Sequence, residues 1–218
     1  MPSAIKRFYG KLTQAKHSFE FPYSPYNKRH NCIFIHIPKV AGTSITEALG
    51  DRRAKRNHLP WYVYYTANRN FFENSYKFAF VRNPWDRAVS AYNYLVAGGN
   101  KVGDLNVSEQ ISNFESFDDF IINGIGEGSY RNHLLFIPQS EFVVNGEQEL
   151  VVDFLGRFES LENDFRNVLG SLGLRRELSN VNSSKRASDY KEYYKDERSI
   201  EVVREVYAQD VKMFSYEF

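Results

Sequence analysis

Two segments of the chain change from an apolar, strand-like run to apolar residues at helical spacing. The runs at 32–37 and 77–81 are short and almost entirely apolar, which predicts buried strands. Apolar residues at helical spacing follow at 43–49 and 84–96, so each run leads through a few residues into a helix. Strand–loop–helix units of this kind are typical of parallel α/β sheets.

Farther along the chain the pattern is less regular and predicts a mixture of short elements. Gly98 and Gly99 end the helix at 84–96. Pro22 and Pro25 interrupt helical structure, so we expect residues 1–30 to form an irregular arm. The remaining expected elements are a helix near 117–123, a loop at 124–128, a hairpin of 142–144 and 149–152 around an Asn-Gly turn, a strand at 154–158, a helix from Ser160 to Gly173, a loop at 176–189 and a last helix over 196–213.

The loop after the first predicted strand has the composition of a phosphate-binding segment. It reads Pro38-Lys-Val-Ala-Gly-Thr-Ser44. Backbone N–H groups at the start of a helix have no intrahelical partners, and the helix dipole favours an anion there. Lys39 adds a positive charge, and Gly42 allows a ligand to approach the backbone closely. Thr43 and Ser44 offer hydroxyl donors, so the segment predicts a site for a phosphorylated ligand; an ordinary loop with a surface lysine is the competing interpretation.

The position of the lysine distinguishes this loop from the Walker-type nucleotide loop. That loop requires Gly-x-x-x-x-Gly-Lys-Ser/Thr, with the lysine directly before the hydroxyl residue. Lys39 instead stands at the end of the strand, ahead of Thr43. This placement suits contact with a leaving-group oxygen better than contact with β- and γ-phosphates. A P-loop kinase is therefore disfavoured, and the chain also lacks an evident Walker B strand.

A second segment, Arg82-Asn-Pro-Trp-Asp-Arg-Ala-Val-Ser90, combines a helix start with anion-binding groups. Asn83 suits the N-cap, Pro84 the first helical position and Asp86 the first turn. Arg82 stands at the end of a strand, where parallel α/β sheets bind ligands, and Ser90 lies about two turns along the helix. An arginine fork and a hydroxyl suit a second phosphate. The two segments together predict a nucleotide with phosphates at two positions.

In this order the two segments resemble the motifs of sulfotransferases that use 3′-phosphoadenosine-5′-phosphosulfate (PAPS). Pro38–Ser44 is similar to their 5′-phosphosulfate loop, and Phe80–Tyr92 to their 3′-phosphate motif. More narrowly, the chain is similar to the carbohydrate O-sulfotransferases, the branch that includes heparan 2-O- and chondroitin/dermatan-type enzymes and many bacterial relatives. The likeness covers about residues 31–218 and departs from the family at Val40, where many relatives carry threonine.

The resemblance implies an α/β fold of three layers, P-loop-like, with a central parallel β-sheet flanked by helices. It also implies a single sulfotransferase domain over residues 31–218, with PAPS as co-substrate and no metal. The acceptor would be a glycan or another hydroxyl compound. The donor-binding residues that it implies are Lys39, Ala41, Gly42, Thr43, Ser44, Arg82, Ser90, Lys185 and Arg186.

The catalytic residues that the resemblance implies are His58 and Lys39. Relatives place a catalytic histidine in the segment between the two motifs, and His58 is the histidine that this chain has there. Imidazole has a pKa near neutrality, which suits a general base for the acceptor hydroxyl. Lys39 would stabilise the departing 5′-phosphate. The competing interpretation of His58 is an ordinary histidine on a surface loop.

For several further residues both a functional and a structural interpretation stay open. His133 and Gln139 are candidates to contact the acceptor, or they are framework residues. Lys185 and Arg186 would close over the 3′-phosphate, or they simply face water. His36 lies within the first strand and is interpreted as a packed or hydrogen-bonded framework residue.

Composition restricts the class of protein further. With 42% hydrophobic residues among 218, the chain can bury a sizeable core. Its net charge of +1 conceals basic residues gathered before residue 31 and at 52–56, which either attract an anionic donor or acceptor or form solvated surface. No nucleic-acid-binding module and no metal-ligand spacing are evident, so neither partner is expected.

The expected location is cytoplasmic, as for a soluble bacterial-type enzyme. No apolar run reaches the roughly 20 residues of a membrane helix, and the first residues do not resemble a secretory signal. A Golgi-lumenal location would apply only to a chain that is part of a longer one. Cys32 is the only cysteine and is expected to be a small buried core residue.

A non-catalytic relative that binds a nucleotide or a glycan is the alternative to an enzyme. It would bind adenosine bisphosphate without turning over any acceptor. The sequence leaves the identity of the acceptor, the sulfated position and the oligomeric state open.

Overall fold

The fold contains a parallel β-sheet. The structure is a computed structural model, and it describes residues 21–51, 57–100, 103–178 and 189–218. Within these ranges the sheet has three strands in the order β1, β2, β3, and both neighbouring pairs are parallel. The strands are β1 (Cys32–Ile35), β2 (Tyr76–Val81) and β3 (Phe154–Arg157).

Burial explains why these segments form strands. All four side chains of β1 are fully buried, as expected for a parallel strand that is covered on both faces. Phe34 on β1 stacks on Phe78 on β2, with ring centroids 5.1 Å apart. The interpretation of Cys32 as a buried core residue is confirmed, and burial raises the pKa of its thiol to about 12.

Helices flank the sheet or follow it along the chain. The α-helices of the described ranges are α1 (Pro25–His30), α2 (Gly42–Ala48), α3 (Trp61–Ala67), α4 (Arg69–Asn74), α5 (Pro84–Val96), α6 (Leu105–Ile111), α7 (Phe117–Asp119), α8 (Ser140–Val143), α9 (Leu161–Ser171), α10 (Glu197–Val206) and α11 (Ala208–Met213). A π-helix over Phe120–Glu127 follows α7, and single 3₁₀ turns lie at Tyr130–Asn132, Phe158–Ser160 and Tyr190–Tyr193. The predicted α/β class, with a parallel sheet flanked by helices, is confirmed.

The described residues divide into two compact units. The first contains 21–81 and 139–178, and therefore the whole sheet with α1–α4, α8 and α9. The second contains 82–138 and 189–218, with α5–α7, the π-helix, α10 and α11.

The expected irregular arm is wrong for its last residues, because α1 begins at Pro25. Proline is tolerated at the first helical position, where its missing N–H would have no partner. The backbone N–H of Ser24 donates to Oδ1 of Asn27 at 2.6 Å, and Nδ2 of Asn27 donates to the carbonyl of Cys32 at 2.9 Å. These two bonds start the helix and tie it to β1. Residues 1–20 of the predicted arm lie outside the described residues.

The predicted hairpin is wrong, because neither residues 142–144 nor residues 149–152 form a strand. Residues 140–143 form α8, in which Phe142 and Val143 are buried, so packing outweighs their strand propensity. A single antiparallel bridge, Val144 with Leu150, remains. The turn at Asn145 is present, since its side-chain oxygen accepts hydrogen bonds from the backbone N–H groups of residues 147 and 149.

Two other expectations also need correction. Residues 124–127 of the loop predicted at 124–128 belong to the π-helix, where Gly124 packs closely against the rings of Phe120 and Phe114. The last helix, predicted to be continuous, is broken at Tyr207, whose buried side chain packs beneath a guanidinium of α5.

That guanidinium belongs to Arg87, which organises the second unit. Its side chain is 1% exposed. Nη1 donates to the carbonyl of Leu135 at 3.0 Å and Nη2 to that of Ile137 at 2.9 Å, while the group lies 5.3 Å from the ring centre of Tyr207. Arg87 thus holds the segment before residue 138 against α5.

Replacing this side chain should destabilise the protein markedly. We expect Arg87→Met to lower the free energy of unfolding by about 2–4 kcal/mol, because two buried carbonyls lose their donors. Urea unfolding measures the change. The matched control is Arg198→Met, which removes a guanidinium that is 56% exposed and pairs with Glu205, and should change stability by less than about 0.5 kcal/mol. Equal effects of the two substitutions would contradict the structural role of Arg87.

Candidate active site

The loop that leaves β1 contains strained backbone at two residues with side chains. Lys39 has φ 71° and Ala41 has φ 61°, both in the left-handed region. Such conformations cost of order 1–3 kcal/mol each in non-glycine residues and are concentrated at ligand sites. Turns of this kind also direct successive backbone N–H groups into concavities that bind anions. The backbone therefore has the character expected of a phosphate-binding loop.

A buried valine between the two strained residues anchors this loop. Val40 is fully buried, and so is Ile37 just before the loop. The position at which the chain departs from its relatives is thus occupied by a side chain that belongs to the core. An apolar residue here fixes the loop through packing and leaves its backbone donors in place.

Helix α2 continues the loop, and the residues of the loop and of the first helical turn differ in their exposure to solvent. Gly42 and Ser44 are buried, whereas Lys39, Ala41 and Thr43 are partly exposed. The hydroxyl of Thr46 donates to the carbonyls of Gly42 and Thr43, each at 3.0 Å, which stabilises the first turn. The predicted donor-binding residues from 39 to 44 are therefore contiguous in space as well as in sequence.

Residue 42 must be glycine for a structural reason that the sequence does not reveal. The imidazole of His36 lies against its α-carbon, and a β-carbon at residue 42 would overlap the ring. Only glycine leaves room for this arrangement. Close approach by a ligand is the requirement that the sequence predicts for Gly42, and the packing of His36 is a separate requirement for the same residue.

The structure places His58 at the end of β1, beside this loop. Its Nδ1 lies 3.0 Å from the backbone oxygen of His36, and the two imidazole ring centres are 4.2 Å apart at an angle of 60°. A carbonyl oxygen can only accept, so Nδ1 carries a proton, and in the neutral imidazole it is the one nitrogen that does. Nε2 is then the basic nitrogen, which is the tautomer that a general base needs.

The residues that follow His58 are buried or hydrogen-bonded, which holds His58 in this position. Leu59 is 2% exposed, and α3 begins two residues later with Val63 and Tyr64 in the core. Nε1 of Trp61 donates to the carbonyl of Val144 at 2.9 Å, which ties the start of α3 to the segment after α8. The aromatic residues that follow His58 lie in α3, a helix that the sequence analysis did not predict. The basic cluster at 52–56 lies outside the described residues.

In the second unit, the arginine motif forms a well-capped helix start. Oδ1 of Asn83 accepts from the backbone N–H groups of Trp85 at 3.0 Å and Asp86 at 3.4 Å, which confirms the predicted N-cap of α5. Arg82 is 2% exposed, and its Nε donates to Oδ2 of Asp86 at 2.6 Å. This ion pair orients the guanidinium. Ser90 follows on the same helix with 8% exposure.

The remaining predicted site residues are placed less favourably. Gln139 is fully buried at the start of α8, which favours its interpretation as a framework residue over an acceptor contact. His133 is partly exposed, and its Nδ1 accepts from the backbone N–H of Leu135 at 3.4 Å. Lys185 and Arg186 lie outside the described residues.

Two further properties concern metals and membranes. In the part of the chain that the structure describes, no three His, Cys, Asp or Glu side chains come together as a metal site would need. None of the helices in the described ranges combines the length and the apolar character that a bilayer crossing requires.

Comparison with known proteins identifies the family. The model of the sulfotransferase family matches residues 25–217, so the chain belongs to this family and is a transferase of sulfuryl groups. The chain is also 29% identical over 118 residues to a protein of Archaeoglobus fulgidus described as uncharacterised; the match covers 54% of this chain and 84% of the relative. No solved structure matches the chain.

The contact between Gly42 and His36 can be tested through stability. We expect Gly42→Ala to destabilise the protein by about 1–3 kcal/mol, because the added methyl group overpacks the imidazole. Gly170→Ala is the matched control: this glycine lies within α9 with no atom near its missing β-carbon, and alanine should stabilise the helix by up to about 1 kcal/mol. Urea unfolding measures both changes, and a neutral or stabilising Gly42→Ala would show that the ring does not occupy this position.

Proposed function

We propose that the protein transfers a sulfuryl group from PAPS to an acceptor hydroxyl, on a carbohydrate, with His58 as the general base. The observation that carries this proposal is the place of His58. It is held at the end of β1, beside the strained loop of a sulfotransferase-family chain, in the tautomer whose Nε2 accepts a proton. A histidine on an unrelated surface loop would have no reason to be fixed there.

The donor is proposed to bind through both motifs. The loop residues Lys39, Ala41, Gly42, Thr43 and Ser44 would hold the 5′-phosphosulfate through backbone N–H groups and hydroxyls, as the family resemblance implies. Arg82 and Ser90 would bind the 3′-phosphate through charge-assisted hydrogen bonds. Lys185 and Arg186 are proposed to cover that phosphate.

The reaction is proposed to be an in-line displacement at sulfur. The acceptor oxygen forms a bond to sulfur while the bond between sulfur and the 5′-phosphate oxygen breaks. Nε2 of His58 takes the proton of the acceptor hydroxyl. Lys39 stabilises the negative charge that develops on the leaving phosphate. The products are a sulfate ester and adenosine 3′,5′-bisphosphate.

The acceptor is proposed to be a carbohydrate because the narrower resemblance is to carbohydrate O-sulfotransferases. His133 is the better candidate of the two predicted acceptor contacts, since it is partly exposed, whereas Gln139 is fully buried. Gln139 would then act by fixing the start of α8.

Sulfate transfer from labelled PAPS to a panel of glycans and simple alcohols tests the catalytic assignment. We expect His58→Gln to lower kcat by about 10²–10⁴-fold through loss of the base. Lys39→Ala should lower it by about 10²–10³-fold through loss of charge stabilisation. The control is Lys195→Ala, which removes an exposed lysine of the second unit and should leave the rate unchanged. Full transfer by both site variants would refute the assignment.

Titration calorimetry tests the nature of the donor. We expect adenosine 3′,5′-bisphosphate to bind more tightly than adenosine 5′-monophosphate, and Ser90→Ala to reduce that preference by about tenfold, since a hydrogen bond to a charged group contributes about 1.5–3 kcal/mol. Tight binding of ATP with Mg²⁺, without preference for the bisphosphate, would contradict the proposal. Bisphosphate binding without turnover of any acceptor would instead identify a non-catalytic relative.

A further inference from the structure

A column of aromatic rings leads from the core of the sheet to His58. Phe78 and Phe34 stack with ring centres 5.1 Å apart, and Phe34 and His36 stack at 5.2 Å with an angle of 21° between their planes. The ring of His36 then meets the ring of His58 at 4.2 Å. The two phenylalanines are fully buried, and His36 is 7% exposed.

The ring of His36 is restrained on several sides. Phe34 covers one face, and the α-carbon of Gly42 lies directly against the ring. The ring also lines a small polar cavity together with Tyr26, Thr46, Asn57 and Tyr64. Burial raises the pKa of both tyrosines, so these neighbours remain neutral hydroxyls. A side chain enclosed in this way cannot rotate without disturbing β1 or α2.

We propose that His36 is the positioning residue of the His58 base. This inference rests on the proposed function, because it explains how that base is oriented. The backbone carbonyl of His36 fixes the proton on Nδ1 of His58, and the ring of His36 is the wall against which the imidazole of His58 rests. Gly42 contributes to the same arrangement, since its lack of a β-carbon leaves the space that the ring of His36 occupies.

The backbone carbonyl and the ring of His36 have separate roles, and a substitution at residue 36 can distinguish them. Any substitution at residue 36 retains the carbonyl as an acceptor, so the direct change is to the ring, which keeps the imidazole of His58 aligned with that acceptor. Loss of the wall lets the imidazole of His58 tilt and exchange between tautomers. Misplacement of a catalytic group by about 1 Å can lower a rate about 10²-fold. Donor binding does not involve this wall and should be unaffected.

The test compares His36→Ala with His36→Phe in the full chain. We expect His36→Ala to lower kcat by about 10- to 100-fold, while the affinity for adenosine 3′,5′-bisphosphate changes by less than about twofold. His36→Phe keeps a ring in the column and should recover most of the lost rate.

Nitrogen chemical shifts of the imidazoles provide a readout that a purely structural role would not change. The wild-type protein should show His58 protonated at Nδ1, whereas His36→Ala should show both tautomers. If His36→Ala does not fold, the same comparison is made between wild type, His36→Phe and His36→Leu, which has a larger side chain than alanine but no ring. A single His58 tautomer together with an unchanged kcat in the folded variant that lacks a ring at residue 36 overturns the proposal.

The outcome for His58 itself separates this inference from the proposed function. If His58→Gln retains full transfer, the assignment of the base has failed and the proposal about His36 fails with it. If His58→Gln is inactive but His36→Ala transfers sulfate at the wild-type rate, only the positioning role of His36 is refuted.

Discussion

The parallel pairing of β1 with β2 is the constraint on which the candidate site depends. It places Phe34 opposite Phe78 and fixes where β1 ends. The loop must then turn within a few residues into α2, which it does by placing Lys39 and Ala41 in the left-handed region. The burial of β1 and of Val40 offsets the cost of this backbone. Packing on both sides of the loop therefore allows it to keep a strained backbone.

The same strand also determines the base of the proposed reaction. His36 follows β1 directly and lies on the same side as Phe34, because side chains two residues apart share a face of an extended chain. Its ring extends the aromatic column, and its carbonyl accepts a hydrogen bond from Nδ1 of His58. His36, which the sequence indicates is a framework residue, is thus proposed to orient the catalytic base while it remains part of the packed core. The distinction between core and site is not sharp at this end of β1.

Local signals predicted some elements well and failed at others. Helix α5 has the predicted bounds because its N-cap asparagine, its proline and its closing glycines are local signals. Helices α3 and α4 were missed because their aromatic residues have weak helix preference and are held by packing, for example by the bond from Trp61 to Val144. Helix α8 replaced a predicted strand for the same reason.

For this protein, the sequence alone determined the α/β class, the three strands of the sheet, the phosphate-loop composition and the family, since buried runs, caps and motif order are properties of neighbouring residues. Only the tertiary structure decided that His58 meets His36, that Gly42 must be glycine and that Gln139 is buried. These features depend on which distant segments share a volume. A ring that fills the space beside another residue leaves no periodic or compositional signal in the chain.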